Sequence, residues 1–216
     1  MHIIGHRGAG KNTLQSFDFA IKNNVYMVEL DIRLCKTDEI IVFHDNTINY
    51  NNTIKYIEDM TLQELKEYNK DICTLDEVFD FIKGKCKIMI EIKKTKSGIV
   101  PRLHKFIEKQ LNTPFWNKDD IVVQSFYEPY LIEFNYTGIK KGLTMAGIIF
   151  STENLHFYDF VVICNSCLCP VFIEDCSQMN IKVFVYTINN ILEYNKAKSL
   201  NVSGIITDKP DIFLQK

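Results

Sequence analysis

The stretch VELDIRLCKTDEIIVFHD, residues 28–45, decides the fold. It carries two strand candidates, Met27–Leu34 and Ile40–His44, and only Cys35 to Glu39 lies between them. A parallel crossover needs about a dozen residues or more, so these strands must be antiparallel neighbours. With Thr37 and Asp38 as the turn centre, the register sets Asp31 opposite His44. Strand alternation then puts Glu29 on the same face as Asp31.

Working outward, further strand candidates are Ile3–His6, Lys87–Lys93, Ile121–Ser125, Gly142–Met145, Phe160–Cys164, Lys182–Thr187 and Gly204–Thr207. Amphipathic helix candidates fall between them: Thr13–Asn23, Leu62–Tyr68, Leu75–Lys83, Val100–Leu111, Pro129–Asn135 and Ile191–Leu200. Nine strands are one too many for an eightfold barrel. The hairpin's return strand accounts for the ninth, which leaves eight parallel strands in an α/β chain. The fold predicted is a TIM (β/α)₈ barrel with an extra antiparallel hairpin strand after the second, as a single domain over residues 1–216. A doubly wound sheet is the structural alternative.

Composition narrows the partners. The 216 residues are 46% hydrophobic and 24% charged, ordinary for a globular domain. A net charge of −2 offers no field for nucleic acid or an anionic membrane. No apolar run is long enough for a transmembrane segment, and His6 and Arg7 come too early for a signal-peptide core. Seven cysteines, an odd number, predict reduced thiols and a cytoplasmic location.

The charged residues stand out against apolar flanks. In VELDIRL, Glu29, Asp31 and Arg33 share a face; in KIMIEIKK, Met89, Glu91 and Lys93 do. A barrel interior takes bulky apolar side chains, so charge there must be paired or bound to metal. Glu29, Asp31 and Glu91 suit one hard divalent cation, Mg²⁺ or Ca²⁺. His6 and His44 each close a strand beside these carboxylates, as an acid–base pair would. Arg7 and Lys93 are natural clamps for a phosphate.

These motifs resemble the glycerophosphodiester phosphodiesterases over nearly the whole chain. GHRG at 5–8 resembles the family's opening motif, NTLQSFDFAI at 12–21 the helix that follows, and residues 28–45 its metal strand and second-histidine hairpin. MTLQELKEY at 60–68, CTLDEVFDFI at 73–82, IEIK at 90–93, VVQSF at 122–126, VYTIN at 185–189 and GIITDKPD at 204–211 follow in family order. The resemblance implies a TIM barrel with one divalent cation on Glu29, Asp31 and Glu91, catalysis by His6 and His44, and phosphate held by Arg7 and Lys93. Gln124 and Tyr186 would line the alcohol side. The implied reaction splits a glycerophosphodiester into glycerol 3-phosphate and an alcohol.

Three departures are visible. Ala9-Gly10-Lys11 replaces a longer loop, the segment from Asn46 to Thr74 is a shortened insertion, and Tyr186 stands where tryptophan is common. A more open mouth would admit bulkier head groups or lysophospholipids. Gly5, Gly10 and Lys11 also have the G-x-x-x-x-G-K spacing of a nucleotide phosphate loop, but Asn12 follows in place of the Ser or Thr that would ligate Mg²⁺. A non-enzymatic binding module would need a broken catalytic set, and this one is intact. Cys164, Cys167, Cys169 and Cys176 lack the paired-knuckle spacing of a zinc site and are predicted to be reduced thiols.

Overall fold

The computed structural model describes residues 1–95, 98–147 and 152–214. Its strands in chain order are β1 His2–Gly5, β2 Met27–Leu34, β3 Ile40–Val42, β4 Thr47–Tyr50, β5 Thr53–Tyr56, β6 Cys73–Thr74, β7 Lys87–Ile92, β8 Ile121–Ser125, β9 Lys140–Met145, β10 Phe160–Cys164, β11 Lys182–Tyr186 and β12 Gly204–Thr207. Eight of them, β1, β2 and β7 to β12, pair in parallel. The sheet closes because β1 pairs with both β12 and β2. This is the (β/α)₈ barrel predicted from the strand count.

The β2, β7 and β8 segments are buried almost throughout, because a parallel barrel strand has helices on one side and the interior on the other. Alternation splits them into two cores. Val28, Leu30, Ile32, Ile88, Ile90 and Val123 pack outward against helix residues such as Phe17, Phe79 and Leu103. Ile4, Met27, Met89, Val122, Phe160, Val162, Phe184 and Ile206 form the separate inner core. Gly142 belongs to the inner face through its register with Gln124 and Phe160. A Cβ there would sit 2.0 Å from the Phe160 ring, so this glycine makes room for the aromatic.

Moving up the same inner face, the next side chains are polar: Glu29 and Asp31 above Met27, Glu91 above Met89, and Gln124 above Val122. All four are buried. Asp31 is in register with Glu91, and Glu91 with Gln124. The apolar filling of the barrel therefore stops one layer short of the carboxyl ends of the strands, where barrel sites are built.

The hairpin forms, with its register one residue away from that expected. Ile32 pairs with Val42, Arg33 with Ile41 and Leu34 with Ile40, so Asp31 is not opposite His44. The turn is a three-residue loop, Lys36–Asp38, closed by Cys35 N donating to Glu39 O at 3.1 Å, with Asp38 at φ +72°. A turn residue held in the left-handed region adds the extra residue that shifts the pairing. β3 also ends at Val42, short of the predicted His44.

The shortened 46–74 segment is not bare. β4 and β5 form a two-stranded antiparallel sheet turning at Asn51 and Asn52, both with positive φ. Helices Leu62–Tyr68 and Leu75–Ile82 follow, each opened by a threonine–glutamate capping box. The helix Pro170–Gln178 was not anticipated. Among the described residues no helix is long and apolar enough to cross a membrane.

Candidate active site

The segment after β1 gives the site its shape. Arg7 adopts φ +49°, and its amide donates to Glu29 Oε2 at 3.0 Å. Gly8, at φ +76°, lies so close to the backbone of Ser16 and Phe17 that a Cβ would meet it at 2.7 Å. Ala9 N and Lys11 N both donate to Ser16 Oγ, at 2.8 and 3.3 Å, and Gly10 N donates to His6 O at 2.8 Å. The amides that a nucleotide phosphate loop would turn toward its ligand are thus already used within the protein. A Cβ on Gly10 would come 3.4 Å from the Asp208 side chain.

The three predicted carboxylates converge. One oxygen each of Glu29, Asp31 and Glu91 lies within 4.8 Å of the others, and this is the one such group among the described residues. Two cations balance them. Lys93 Nζ lies 2.9 Å from Asp31 Oδ1 and pairs also with Glu91 Oε1, while Arg7 Nε lies 3.0 Å from Asp31 Oδ2. Asn12 Nδ2 donates to the same Asp31 oxygen at 2.9 Å. Buried charges need such pairing, because desolvation of an isolated carboxylate would cost several kcal/mol.

Two cations against three acids leave one carboxyl uncompensated, and the proton affinities show which. Burial, reinforced by the Asp31 charge, pushes Glu29 up to about 8. Glu91 is also raised by burial, with Lys93 opposing. Asp31 goes the other way: burial would raise it, but Lys93 and Arg7 hold it below the usual carboxylate range. Burial works against the Lys93 ammonium, yet Glu91 and Asp31 keep it raised. Gln124 Oε1 is a buried acceptor without a hydrogen-bond partner among the described residues. Three converging carboxylates, with the Gln124 carbonyl oxygen beside them, fit a hard cation that prefers oxygen.

Both histidines flank this cluster, and each is held through Nδ1 by an aspartate. His6 Nδ1 lies 2.6 Å from Asp208 Oδ1, and His44 Nδ1 lies 2.7 Å from Asp45 Oδ1. The environments differ. Burial lowers the His6 value, but the Asp208 hydrogen bond, helped by Glu29 in its ionised form, outweighs it and raises His6 overall. For His44, burial wins over Asp45 and Asp31, with Lys93 and Arg7 adding to the lowering. His44 also lines a pocket of about 380 Å³ with Arg7, Lys11, Asn12, Phe43 and Asp71.

Gln124 lies deep, beside Glu91, while Tyr186 stands at the rim. The Tyr186 hydroxyl donates to Met145 O at 3.3 Å and its ring meets Phe126 edge-on. Reading of the sequence missed three residues. Asp208 is braced by Asn189 Nδ2 at 2.7 Å, and Asn189 Oδ1 accepts from Asp208 N at 2.9 Å and Thr207 Oγ1 at 3.1 Å. Asn12 supports Asp31. Asn12, Asn189 and Asp208 lie inside the quoted NTLQSFDFAI, VYTIN and GIITDKPD motifs, which was the available signal. The four cysteines 164, 167, 169 and 176 are free thiols, and Cys167 Sγ donates to Gly147 O at 2.7 Å.

A closed barrel with acids, paired bases and cations at the carboxyl ends of its strands defines a TIM-barrel phosphodiester hydrolase. Residues 6–135 and 144–212 match the model of the Glycerophosphoryl diester phosphodiesterase family, and the chain belongs to that family. It is 28% identical over 242 residues to the glycerophosphodiester phosphodiesterase of Caldanaerobacter subterraneus subsp. tengcongensis, covering 98% of this chain and 96% of that protein. A Homo sapiens lysophospholipase D is 22% identical over 262 residues, covering 97% of this chain and 83% of the relative. The barrel superposes with TM-score 0.84 and 23% identity on an Oleispira antarctica phosphodiesterase solved with the product sn-glycerol-3-phosphate, covering 98% and 94% of the two chains.

Proposed function

We propose that this chain hydrolyses glycerophosphodiesters to glycerol 3-phosphate and an alcohol, with His6 as general acid and His44 as general base. The observation that carries the reading is the convergence of two aspartate-held imidazoles on one cluster of acids and cations. Glu29, Asp31 and Glu91 would hold one divalent cation, Mg²⁺ or Ca²⁺, which when bound supplies charge neutralisation to phosphoryl oxygens.

The protein's own groups divide the remaining work. His44, whose environment favours the neutral form, accepts the proton of the attacking hydroxyl as its oxygen forms a bond to phosphorus. His6, whose environment favours the imidazolium, donates its proton to the alcohol oxygen as that P–O bond breaks. Arg7 and Lys93 place positive charge where the phosphoryl group gains negative charge. Asp208, part-buried and braced by Asn189, fixes the His6 tautomer as an aspartate does for a catalytic histidine. Gln124 offers its free carbonyl deep in the site, and Tyr186 with Phe126 offers an aromatic wall at the rim.

A lysophospholipid is the second substrate class supported by a specific observation: Phe126 is 49% exposed beside Tyr186. The kinship with a lysophospholipase D adds to it. The seven free cysteines support a reducing, cytoplasmic setting. The test is a panel of glycerophosphocholine, other glycerophosphodiesters and lysophosphatidylcholine, run with Mg²⁺, Ca²⁺ or chelator. Phosphorus NMR should report glycerol 3-phosphate, and the activity should disappear in His6→Ala. Persistence of that activity in His6→Ala would sink the reading, and binding without turnover would make the chain a binding module.

A further inference from the structure

We propose that Arg33 is a positioning residue that holds His44 in its working place. The proposal deepens the reading of His44 as the base. β3 leaves the β2 ladder early: Phe43 N donates to Asp31 O at 2.9 Å, and the strand itself has already ended at Val42. Beyond that point the His44 carbonyl has no strand partner. Arg33, two residues past Asp31 on β2, supplies one. Its Nε and Nη2 both donate to His44 O, at 2.9 and 2.7 Å. Its third nitrogen, Nη1, donates to Lys94 O at 3.3 Å.

One rigid guanidinium therefore ties the end of the hairpin, where His44 sits, to the segment that follows Lys93. The base and one phosphate clamp are joined through their backbones. Burial makes this guanidinium costly to keep charged, with the nearby charges of Asp31 and Asp45 opposing. A fixed fork satisfies two carbonyls from one side chain, and a lysine's single ammonium on a flexible stem cannot reproduce it. A pocket of about 240 Å³ flanks Arg33, lined by Asn46, Tyr56, Glu58 and Lys94, so an unbranched replacement fits without overpacking. Among the described residues the His44 ring hydrogen-bonds only to the exposed Asp45, so it depends on its own backbone for position.

The test compares Arg33→Met and Arg33→Lys with wild type on glycerophosphocholine. The expected result is a kcat about 10²-fold lower in Arg33→Met, KM within about twofold, and an intermediate kcat in Arg33→Lys, in line with the cost of a small misplacement. The backbone amide and imidazole NMR signals of His44, recorded without cation or substrate, should shift in both variants while those of His6 stay. A kcat within about twofold of wild type in folded Arg33→Met, or unmoved His44 signals, overturns the proposal. If Arg33→Met does not fold, Arg33→Lys decides by the same two criteria. If His44→Ala keeps wild-type activity, the base assignment fails instead, and the His44 signals alone then decide the clamp.

Discussion

His6 Nδ1 and Asp208 Oδ1 are 2.6 Å apart across 202 residues of sequence, joining the ends of the first and last barrel strands. This contact exists because the barrel closes, and Asn189 braces its far side. A closed sheet with no free edge at β1 gives the pair a rigid base.

Asp208→Asn should keep the fold and lower kcat by about 10²- to 10⁴-fold, because an amide can no longer select the imidazole tautomer. The pH profile should respond in a defined direction. With the proposed roles, wild-type activity should rise as His44 loses its proton below the ordinary histidine value, and fall as His6 loses its proton above it. Removing the Asp208 charge lowers the His6 value, so the alkaline limb should move to lower pH. Profiles of kcat for the two proteins check this.

Cation affinity should rise with pH and level off above about 8. The proposed ligand set needs an ionised Glu29, and burial raises its carboxyl to about 8. At pH 7 binding should therefore release about one proton per ion. Calorimetry of Ca²⁺ or Mg²⁺ binding in two buffers of different ionisation enthalpy measures that release, and Glu29→Gln should abolish it.

Lys93→Met should reduce both activity and stability. The Lys93 side chain, 12% exposed, compensates Asp31 and Glu91 at once. Removing one partner of a buried pair costs about 3 kcal/mol or more. Chemical denaturation without cation should show that loss, and added divalent cation should recover part of it by replacing the missing positive charge.

Gly142→Ala should destabilise by about 1–3 kcal/mol. The new methyl would fall 2.0 Å from the buried Phe160 ring, whose inner-core packing against Phe184 must then shift. Thermal unfolding checks the size of the effect.

The barrel was legible in the sequence because each β strand is a short apolar run between helical segments. The hairpin was legible because five residues cannot make a crossover. Glu29, Asp31, Glu91 and Lys93 were legible because alternation on β2 and β7 turns them inward above Met27 and Met89. Register was less accessible: whether the turn has two residues or three depends on the left-handed conformation of Asp38, and that one residue moved His44 off Asp31. The helix Pro170–Gln178 was hidden by a cysteine-rich, weakly periodic segment. Asn12, Asn189 and Asp208 were quoted within motifs but given no role, since their partners are chosen by barrel closure rather than by spacing along the chain.

The central claim is that this barrel cleaves glycerophosphodiesters with His6 and His44 at a cation-binding cluster. The most direct measurement is phosphorus NMR of glycerophosphocholine incubated with wild type, His6→Ala and His44→Ala, each with Mg²⁺ or Ca²⁺ and with chelator. The account predicts glycerol 3-phosphate from wild type with cation, and none from either variant or from wild type with chelator. Equal turnover in the variants, or turnover indifferent to chelator, would contradict it.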